Sequence, residues 1–394
     1  MTVPDERSLK RPLRVAIACP GVGLVQRGFE RMFNDVFRLM EGELDITLFK
    51  GGGPVSAREK VPAFLPRNGR FLEMFPIHAL VGRTPIHVEC MTFALALLPH
   101  LRDGRFDVVH CIDPPLVRIL YKLRRLLGMQ FRLLYTHGCT MPPAGYPPAD
   151  HLQQVSKATY DEARQAGIPA GAMTLIPVGI HPERFQVATS KEELRREYGV
   201  PADTFVILSV AALNRNQKRT HYLIDEVARL QGNFLLWLDG SFDQGEPELV
   251  EYAKSRLGDR CRVSHVPTAD VGELYRMADI MAHTSLFEAF GLSLVEAAST
   301  GLPVLSHDAP HFRWLLPNPH AWLDMTLPGA LAERLSFLMA HAEMLPGLVC
   351  REDVRRFEWG LIRQDYTAMY QRVAALPAAG QGGASKNYFW QLHG

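Results

Sequence analysis

The stretch His283-Thr284-Ser285-Leu286-Phe287-Glu288-Ala289-Phe290-Gly291-Leu292-Ser293-Leu294-Val295-Glu296-Ala297 reads as one strand, loop and helix in succession. A strand ends near His283, a loop carries Glu288, and a helix begins near Gly291 and stops at Gly301 ahead of Pro303. Glycine just past a helix and proline beyond it form a common stop signal. The N–H groups of Gly291, Leu292 and Ser293 stand at the open helix N-terminus, where unpaired donors and the helix dipole favour an anion such as a diphosphate. Helical side chains lean toward the N-terminus, so Glu296, little more than one turn inside, reaches back to the crevice that Glu288 approaches from the loop. Carboxylates touching a phosphate would repel it, so their fitting targets are hydroxyls of a sugar and a ribose. Either glutamate alone reads as a solvated or dipole-complementing residue. The pair, with its flanking strand and capped helix, reads as nucleotide-sugar recognition.

Outward from this segment, short apolar runs alternate with helical periodicity along most of the 394 residues, the pattern of parallel sheets with helices on both faces. The spacing predicts strands near 15–19, 45–49, 107–111, 133–136, 153–156 and 175–177. A second set follows near 205–210, 234–238, 262–265, 280–283, 303–306 and 321–323. Polar residues 181–200, with a short helix at 191–198, separate the halves. The domains expected are 1–185 and 186–355, both doubly wound, then a closing helix over 356–376 within a helical stretch that starts near 351, and a flexible tail, 377–394, with an aromatic cluster at 388–390. Ligands of such sheets collect beyond the carboxyl ends of the strands.

Apolar residues at 47% and charged residues at 22% are ordinary globular values, which sets aside collagenous, disordered and disulfide-scaffold classes. Forty-three basic against 42 acidic residues leave a formal charge of +1, so there is no protein-wide field for nucleic acid. The six cysteines form no C-x-x-C pair and read as buried thiols of a reducing compartment. The first apolar run is too short for a signal-peptide core, and the longest falls short of a membrane span. A cytoplasmic location is expected. Gly51-Gly52-Gly53 lacks the G-K-[ST] ending of a phosphate loop and reads as a flexible loop. No D-x-D occurs to hold a divalent metal on a diphosphate. Helix 116–127 bears Arg118, Lys122 and Arg125 on one stripe and Leu116, Leu120, Leu123 and Leu127 on another. The basic stripe reads either as a solvated helix face or as a peripheral contact for the inner face of an anionic membrane.

Glu288 and Glu296 resemble the paired glutamates, seven residues between them, of the family 4 glycosyltransferases of the GT-B fold. Looser segments follow in the family's order over roughly residues 14–375: Phe106-Asp107-Val108-Val109-His110, Tyr135-Thr136-His137-Gly138, Val155-Ser156, Ile176-Pro177-Val178-Gly179-Ile180-His181, Lys218 with Leu223-Ile224, Tyr275-Arg276-Met277-Ala278-Asp279, and Phe357-Glu358-Trp359. The resemblance implies an α/β GT-B architecture of two doubly wound Rossmann-like domains facing across a cleft, with a C-terminal helix crossing back to the first. It implies a hexosyltransferase-type enzyme of the EC 2.4 class, moving a sugar with retention from a UDP-, GDP- or ADP-sugar to an acceptor that is a glycan, lipid or small molecule. No tightly bound cofactor and no metal are expected.

The family's residues carry over as follows. Glu288 binds the sugar, Glu296 the ribose, and Lys218 with the Gly291 and Leu292 amides, next to Phe290, the diphosphate. His137 or its backbone meets the transferred sugar, the Val266 backbone meets the base, and Gly21, Gly23 and Gly28 belong to an acceptor-side loop in which Arg27-Gly28 stands where two glycines often occur. The family also has an arginine five or six residues before its lysine, where this chain has Leu213 and Ala212. Arg215 and Arg219 are the two available substitutes. A glycoside hydrolase or phosphorylase using the same two carboxylates, a sugar-nucleotide epimerase and a non-catalytic nucleotide-sugar binder are the rival readings.

Overall fold

Runs of consecutive apolar residues suit strands covered on both faces, and Arg14–Cys19, buried at every residue after Arg14, is such a strand. The computed structural model describes residues 11–25, 28–70, 84–241 and 248–377. The chain divides into two units, Met1–Val178 together with Ile362–Gly394, and Gly179–Leu361.

The first unit holds a seven-stranded parallel sheet: β1 (Arg14–Cys19), β2 (Asp45–Lys50), β3 (Glu59–Lys60), β4 (Val108–Cys111), β5 (Arg132–His137), β6 (His151–Gln154) and β7 (Met173–Leu175), in the order β3-β2-β1-β4-β5-β6-β7. The second holds a six-stranded parallel sheet: β8 (Phe205–Val210), β9 (Phe234–Asp239), β10 (Cys261–Ser264), β11 (Ile280–Ala282), β12 (Val304–His307) and β13 (Trp322–Leu323), in the order β10-β9-β8-β11-β12-β13. Each sheet grows in one direction from its first strand and then reverses. The reversals lie between β1 and β4 and between β8 and β11, and the crevice outside the carboxyl ends there is where doubly wound sheets take ligands.

Helices cover the sheets with their apolar faces. Helices Pro85–Gly104 and Pro114–Leu126 place Phe93, Leu97, Leu116 and Leu120 on Val109 and Leu133 of the first sheet. In the second unit Leu223, Ile224 and Leu335 pack on Ile207, Leu236 and Ile280. Residues 362 onward of helix Trp359–Ala374 complete the first unit through a buried polar chain. Gln153 Nε2 donates to the Ile176 carbonyl at 3.2 Å and to Tyr366 at 2.9 Å, so its Oε1 accepts from Thr136 at 2.8 Å. Thr136 in turn accepts from His110 Nε2 at 2.6 Å, which leaves His110 Nδ1 to accept from the Tyr370 hydroxyl at 2.9 Å. Burial pulls the His110 pKa down to about 3 against the opposing Gln153 bond, so the ring is neutral, as this donor order requires.

Several expectations are revised. The short β3 is unforeseen, and β6 lies two residues earlier than the predicted 153–156. The helical stretch expected from 351 is broken: helix Arg351–Val354 and a 3-10 turn Arg355–Phe357 precede Trp359–Ala374. Its cause is a bridge of Glu358 to Ile180, in which Ile180 N donates to the Phe357 carbonyl at 2.8 Å and Trp359 N to the Ile180 carbonyl at 3.2 Å. Leu127, expected on the buried stripe, is 54% exposed because the helix ends before it. The aromatic cluster at 388–390 lies outside the described residues.

Candidate active site

In the second unit, the loops after β8 and β11 meet at the reversal point. Asn214 shapes the first: its Oδ1 accepts from the amides of Gln217 at 3.0 Å and Lys218 at 2.8 Å, and its carbonyl accepts from Thr220 N at 3.0 Å. The Thr284 hydroxyl, from the second loop, donates to the Lys218 carbonyl at 2.8 Å. Arg219 adopts φ +52°, a conformation rare outside glycine, and its guanidinium donates to the Met325 carbonyl at 3.0 Å while lying 4.1 Å from the Tyr222 ring centre.

The backbone so fixed delivers Lys218 to Glu288. The ammonium is ion-paired with Glu288 Oε1, Gln217 Nε2 donates to Oε2 at 3.0 Å, and His283 Nε2 lies 3.2 Å from Oε1. The His283 contact is close enough for attraction but too poorly aligned to count as a hydrogen bond, which leaves that buried nitrogen without an aligned partner. Burial by itself would raise the Glu288 carboxyl. The attraction of His283 and Lys218 outweighs it and holds the group well below the ordinary carboxylate range, so Glu288 is a buried anion at neutral pH.

Three residues beyond Glu288, Gly291 turns the chain with φ +94°, and its carbonyl accepts from Leu294 N at 3.1 Å and Val295 N at 3.2 Å to begin helix Leu292–Ser299. His311 Nε2 donates to the Phe290 carbonyl at 2.9 Å and steadies this turn. The Phe290 ring is occupied in packing on Phe357, 5.4 Å between ring centres, so its backbone is the part left to serve the site. Glu296 is buried at 6% exposure one turn inside, with Tyr275 Oη 3.4 Å from its Oε2.

The structure therefore joins Lys218 to Glu288 and places Phe290, Gly291, Leu292 and Glu296 on one continuous turn and helix. It does not bring the two substitute arginines to that pair. The Arg215 guanidinium lies over the Tyr252 ring at 5.3 Å, and Arg219 is committed to backbone carbonyls. Val266, two residues beyond β10, donates its amide to Asp239 Oδ1 at 2.9 Å, an oxygen that also accepts from Ser264 at 2.6 Å.

In the first unit, His137 closes β5 at 1% exposure. Its Nδ1 lies 3.0 Å from Gln154 Oε1 and 3.1 Å from the Tyr146 hydroxyl, while Nε2 is buried without an aligned partner. Burial pulls its pKa down to about 4, opposed by the Gln154 bond. Gly23 has φ +82°, and a Cβ there would stand 2.1 Å from the Gly52 carbonyl oxygen. Gly51 N and Gly52 N donate to the Val22 carbonyl at 3.0 and 3.2 Å. The triple glycine read as a flexible loop is thus the surface on which the loop after β1 packs, and close chain approach accounts for Gly23. A Cβ at Gly21 would stand 2.7 Å from a Glu30 carboxylate oxygen. Gly28 begins helix Gly28–Met40, and Gln26 and Arg27 lie outside the described residues.

Sequence reasoning missed Gln217, His283 and His311. Gln217 borders the lysine and follows Asn214 at turn spacing, a signal that was available. The histidines stand at no informative spacing. Among the described residues, no group of three His, Cys, Asp or Glu side chains gathers as a metal site, and no helix is long and apolar enough to cross a membrane.

Residues 190–345 match the family model described as glycosyl transferases group 1. The lipopolysaccharide glucosyltransferase WaaG of Escherichia coli is 32% identical over 140 residues, covering 34% of this chain and 36% of the relative. The lipopolysaccharide core biosynthesis mannosyltransferase LpsB of Rhizobium meliloti is 29% identical over 205 residues, 49% of this chain and 57% of the relative. The chain thus spans between about a third and two thirds of the curated relatives it matches first. Among solved structures, Anabaena HepE in complex with UDP and glucose superposes with a TM-score of 0.70 at 16% identity, covering 91% of this chain and 99% of that one. Residues 190–345 are thus similar to the group 1 glycosyl transferases, and the chain has the fold of the GT-B glycosyltransferases.

Proposed function

We propose that this chain is a retaining family 4 glycosyltransferase that moves a sugar from a nucleoside diphosphate to a hydroxyl of an acceptor. The observation that carries the reading is the Lys218–Glu288 ion pair, formed by two loops at a sheet reversal beside an open helix N-terminus with Glu296 one turn inside. Lys218 and the Gly291 and Leu292 amides hold the diphosphate, where a fixed cation and fixed dipoles stabilise the charge that grows as the sugar departs. Glu288 accepts from sugar hydroxyls and Glu296 from the ribose. The Val266 carbonyl is the part of that residue left for the base, since its amide serves Asp239. His137 is a contact for the transferred sugar, its unpartnered Nε2 being the available atom.

Retention follows from bond making and breaking on one face. The C1–phosphate oxygen bond breaks, the acceptor oxygen bonds to C1, and a donor phosphate oxygen takes the acceptor's proton, so no side-chain base is required. The donor is a UDP-, GDP- or ADP-sugar, with UDP favoured by the UDP found with the Anabaena neighbour. The location proposed is the cytoplasm, where such donors are available.

A thermal-shift series with UDP, GDP, ADP and their glucose conjugates tests this, because a ligand of the folded state alone raises stability. One nucleotide class should raise the melting temperature, and Glu296→Ala should abolish the shift. No shift at saturating concentration of any of them defeats the donor assignment. Binding without sugar release to any hydroxyl acceptor or water would leave a nucleotide-sugar binder in place of the enzyme.

A further inference from the structure

His283 follows β11 directly, and its amide donates to the Leu305 carbonyl of β12 at 2.9 Å, so the backbone fixes where the ring stands. The ring is 2% exposed, lies beside Phe312 with 5.8 Å between ring centres, and holds Nε2 3.2 Å from Glu288 Oε1 without an aligned partner. Folds ordinarily pair a buried ring nitrogen. This one faces the same oxygen that the Lys218 ammonium occupies. Among the described residues, the other titratable group beside it is His311, from helix Pro310–Leu315. Its Nε2 already serves the Phe290 carbonyl, and burial holds its pKa below the ordinary imidazole value.

The donor site proposed above, on which this inference rests, makes two demands on Lys218. Glu288 accepts sugar hydroxyls only through oxygens that are free, yet Oε1 is taken by the ammonium and Oε2 by Gln217. A diphosphate at the Gly291 and Leu292 amides also brings a double negative charge beside a buried carboxylate. One ammonium and one helix N-terminus do not neutralise all of it. Lysine, on a flexible four-carbon stem, can turn to the phosphate, whereas a packed histidine answers by changing its charge. We propose that donor binding exchanges the partner of Glu288: Lys218 turns to the diphosphate, and His283 takes a proton from the solvent buffer and, as an imidazolium, donates from Nε2 to Oε1. The proton returns to solvent when the nucleotide leaves. His283 is a positioning residue, which keeps the carboxylate ionised and aimed at the sugar without touching substrate.

Isothermal titration of the full chain with UDP-, GDP- and ADP-glucose tests this, because their diphosphate diesters do not titrate near neutrality. The heat of binding of the accepted donor, compared at about pH 7.5 in PIPES and in Tris, should report uptake of about one proton per molecule bound. Affinity should fall about tenfold per unit between pH 7 and pH 8, since the complex holds a proton that the free site does not. His283→Gln keeps a polar side chain that cannot become charged, so it should bind the donor with no proton uptake and a flat affinity profile. His311→Gln should take up the proton as the wild type does. The wild-type comparison of buffers stands whether or not either variant folds. Binding without buffer dependence in the wild type, or uptake that survives His283→Gln, overturns the exchange and leaves the donor assignment in place. No heat with any of the three sugars overturns the donor assignment and the exchange with it.

Discussion

The two sheets reverse direction at equivalent places, yet what stands there differs in kind. Between β8 and β11 two loops are joined through charge: Lys218, Gln217 and His283 surround the Glu288 carboxylate, with a helix N-terminus three residues on. Between β1 and β4 the loop after β1 is fixed by backbone fit, with Gly23 against Gly52 and the Val22 carbonyl taken by two glycine amides. Topology locates a crevice in each unit. Only the residues on its rim decide whether that crevice offers charge or shape, which is why the same winding serves many chemistries.

The sharpest way to break this contrast is to remove its charge. Lys218→Ala should lower turnover by about 10²- to 10³-fold, the loss typical when one preorganised stabiliser of developing charge is deleted, with nucleotide affinity changing less. Gln217→Ala removes a neutral donor from the same carboxylate and should cost less than about tenfold, the scale of one hydrogen bond. Steady-state kinetics with the nucleotide sugar found by thermal shift measures both. Turnover unchanged in Lys218→Ala would remove the electrostatic account of this rim.

The shape side of the contrast is broken at Gly23. Alanine there meets the Gly52 carbonyl oxygen at 2.1 Å in a left-handed conformation, so neither strain nor overlap can be relieved locally. The two penalties together should cost about 3 kcal/mol in urea unfolding. Gly291→Ala in the second unit shares the left-handed φ but meets only a Leu315 methyl at 3.3 Å, so about 1 kcal/mol is expected. Equal costs at the two glycines would mean that conformation rather than chain packing governs both loops.

These glycines also mark what a sequence can and cannot disclose. Strands such as Phe205–Val210 and Phe234–Asp239 are legible because a buried parallel strand is a short continuous apolar run with turn residues at each end. Glu288 and Glu296 read as a pair because position in a strand–loop–helix sequence implies which crevice they border, whereas Lys218 is singled out only by resemblance to a family motif. Contacts between segments far apart in the chain leave no such trace. The bridge of Glu358 to Ile180 breaks a stretch whose local pattern is helical, and Gly51-Gly52-Gly53 declares its role only once Val22 and Gly23 lie on it. His283 and His311 are silent for a related reason: neither stands at a spacing that implies a partner, and burial beside Glu288 or the Phe290 carbonyl is a fact of tertiary structure.

A pH-dependent effect concerns the stability that the charged rim lends to its own unit. Glu288 has its folded-state pKa depressed below the ordinary 4.5. Its pairing therefore contributes stability that is present above that unfolded value and is lost as pH falls through the window beneath it, because the unfolded chain then binds a proton that the folded carboxylate resists. Between pH 5 and pH 3 this linkage should remove on the order of 1 to 2 kcal/mol from the wild type. Glu288→Gln cannot take up that proton, so its urea midpoint should fall less steeply over the same range, even though its stability at pH 7 is lower for want of a partner to Lys218. Gln217 does not titrate, and Lys218 and His283 are present in both proteins, so the difference between the two profiles is read at the carboxylate. Parallel pH profiles for the two proteins would mean that the carboxylate is as readily protonated in the fold as outside it. The loops after β8 and β11 would then be held, like those of the first sheet, by backbone fit rather than by charge.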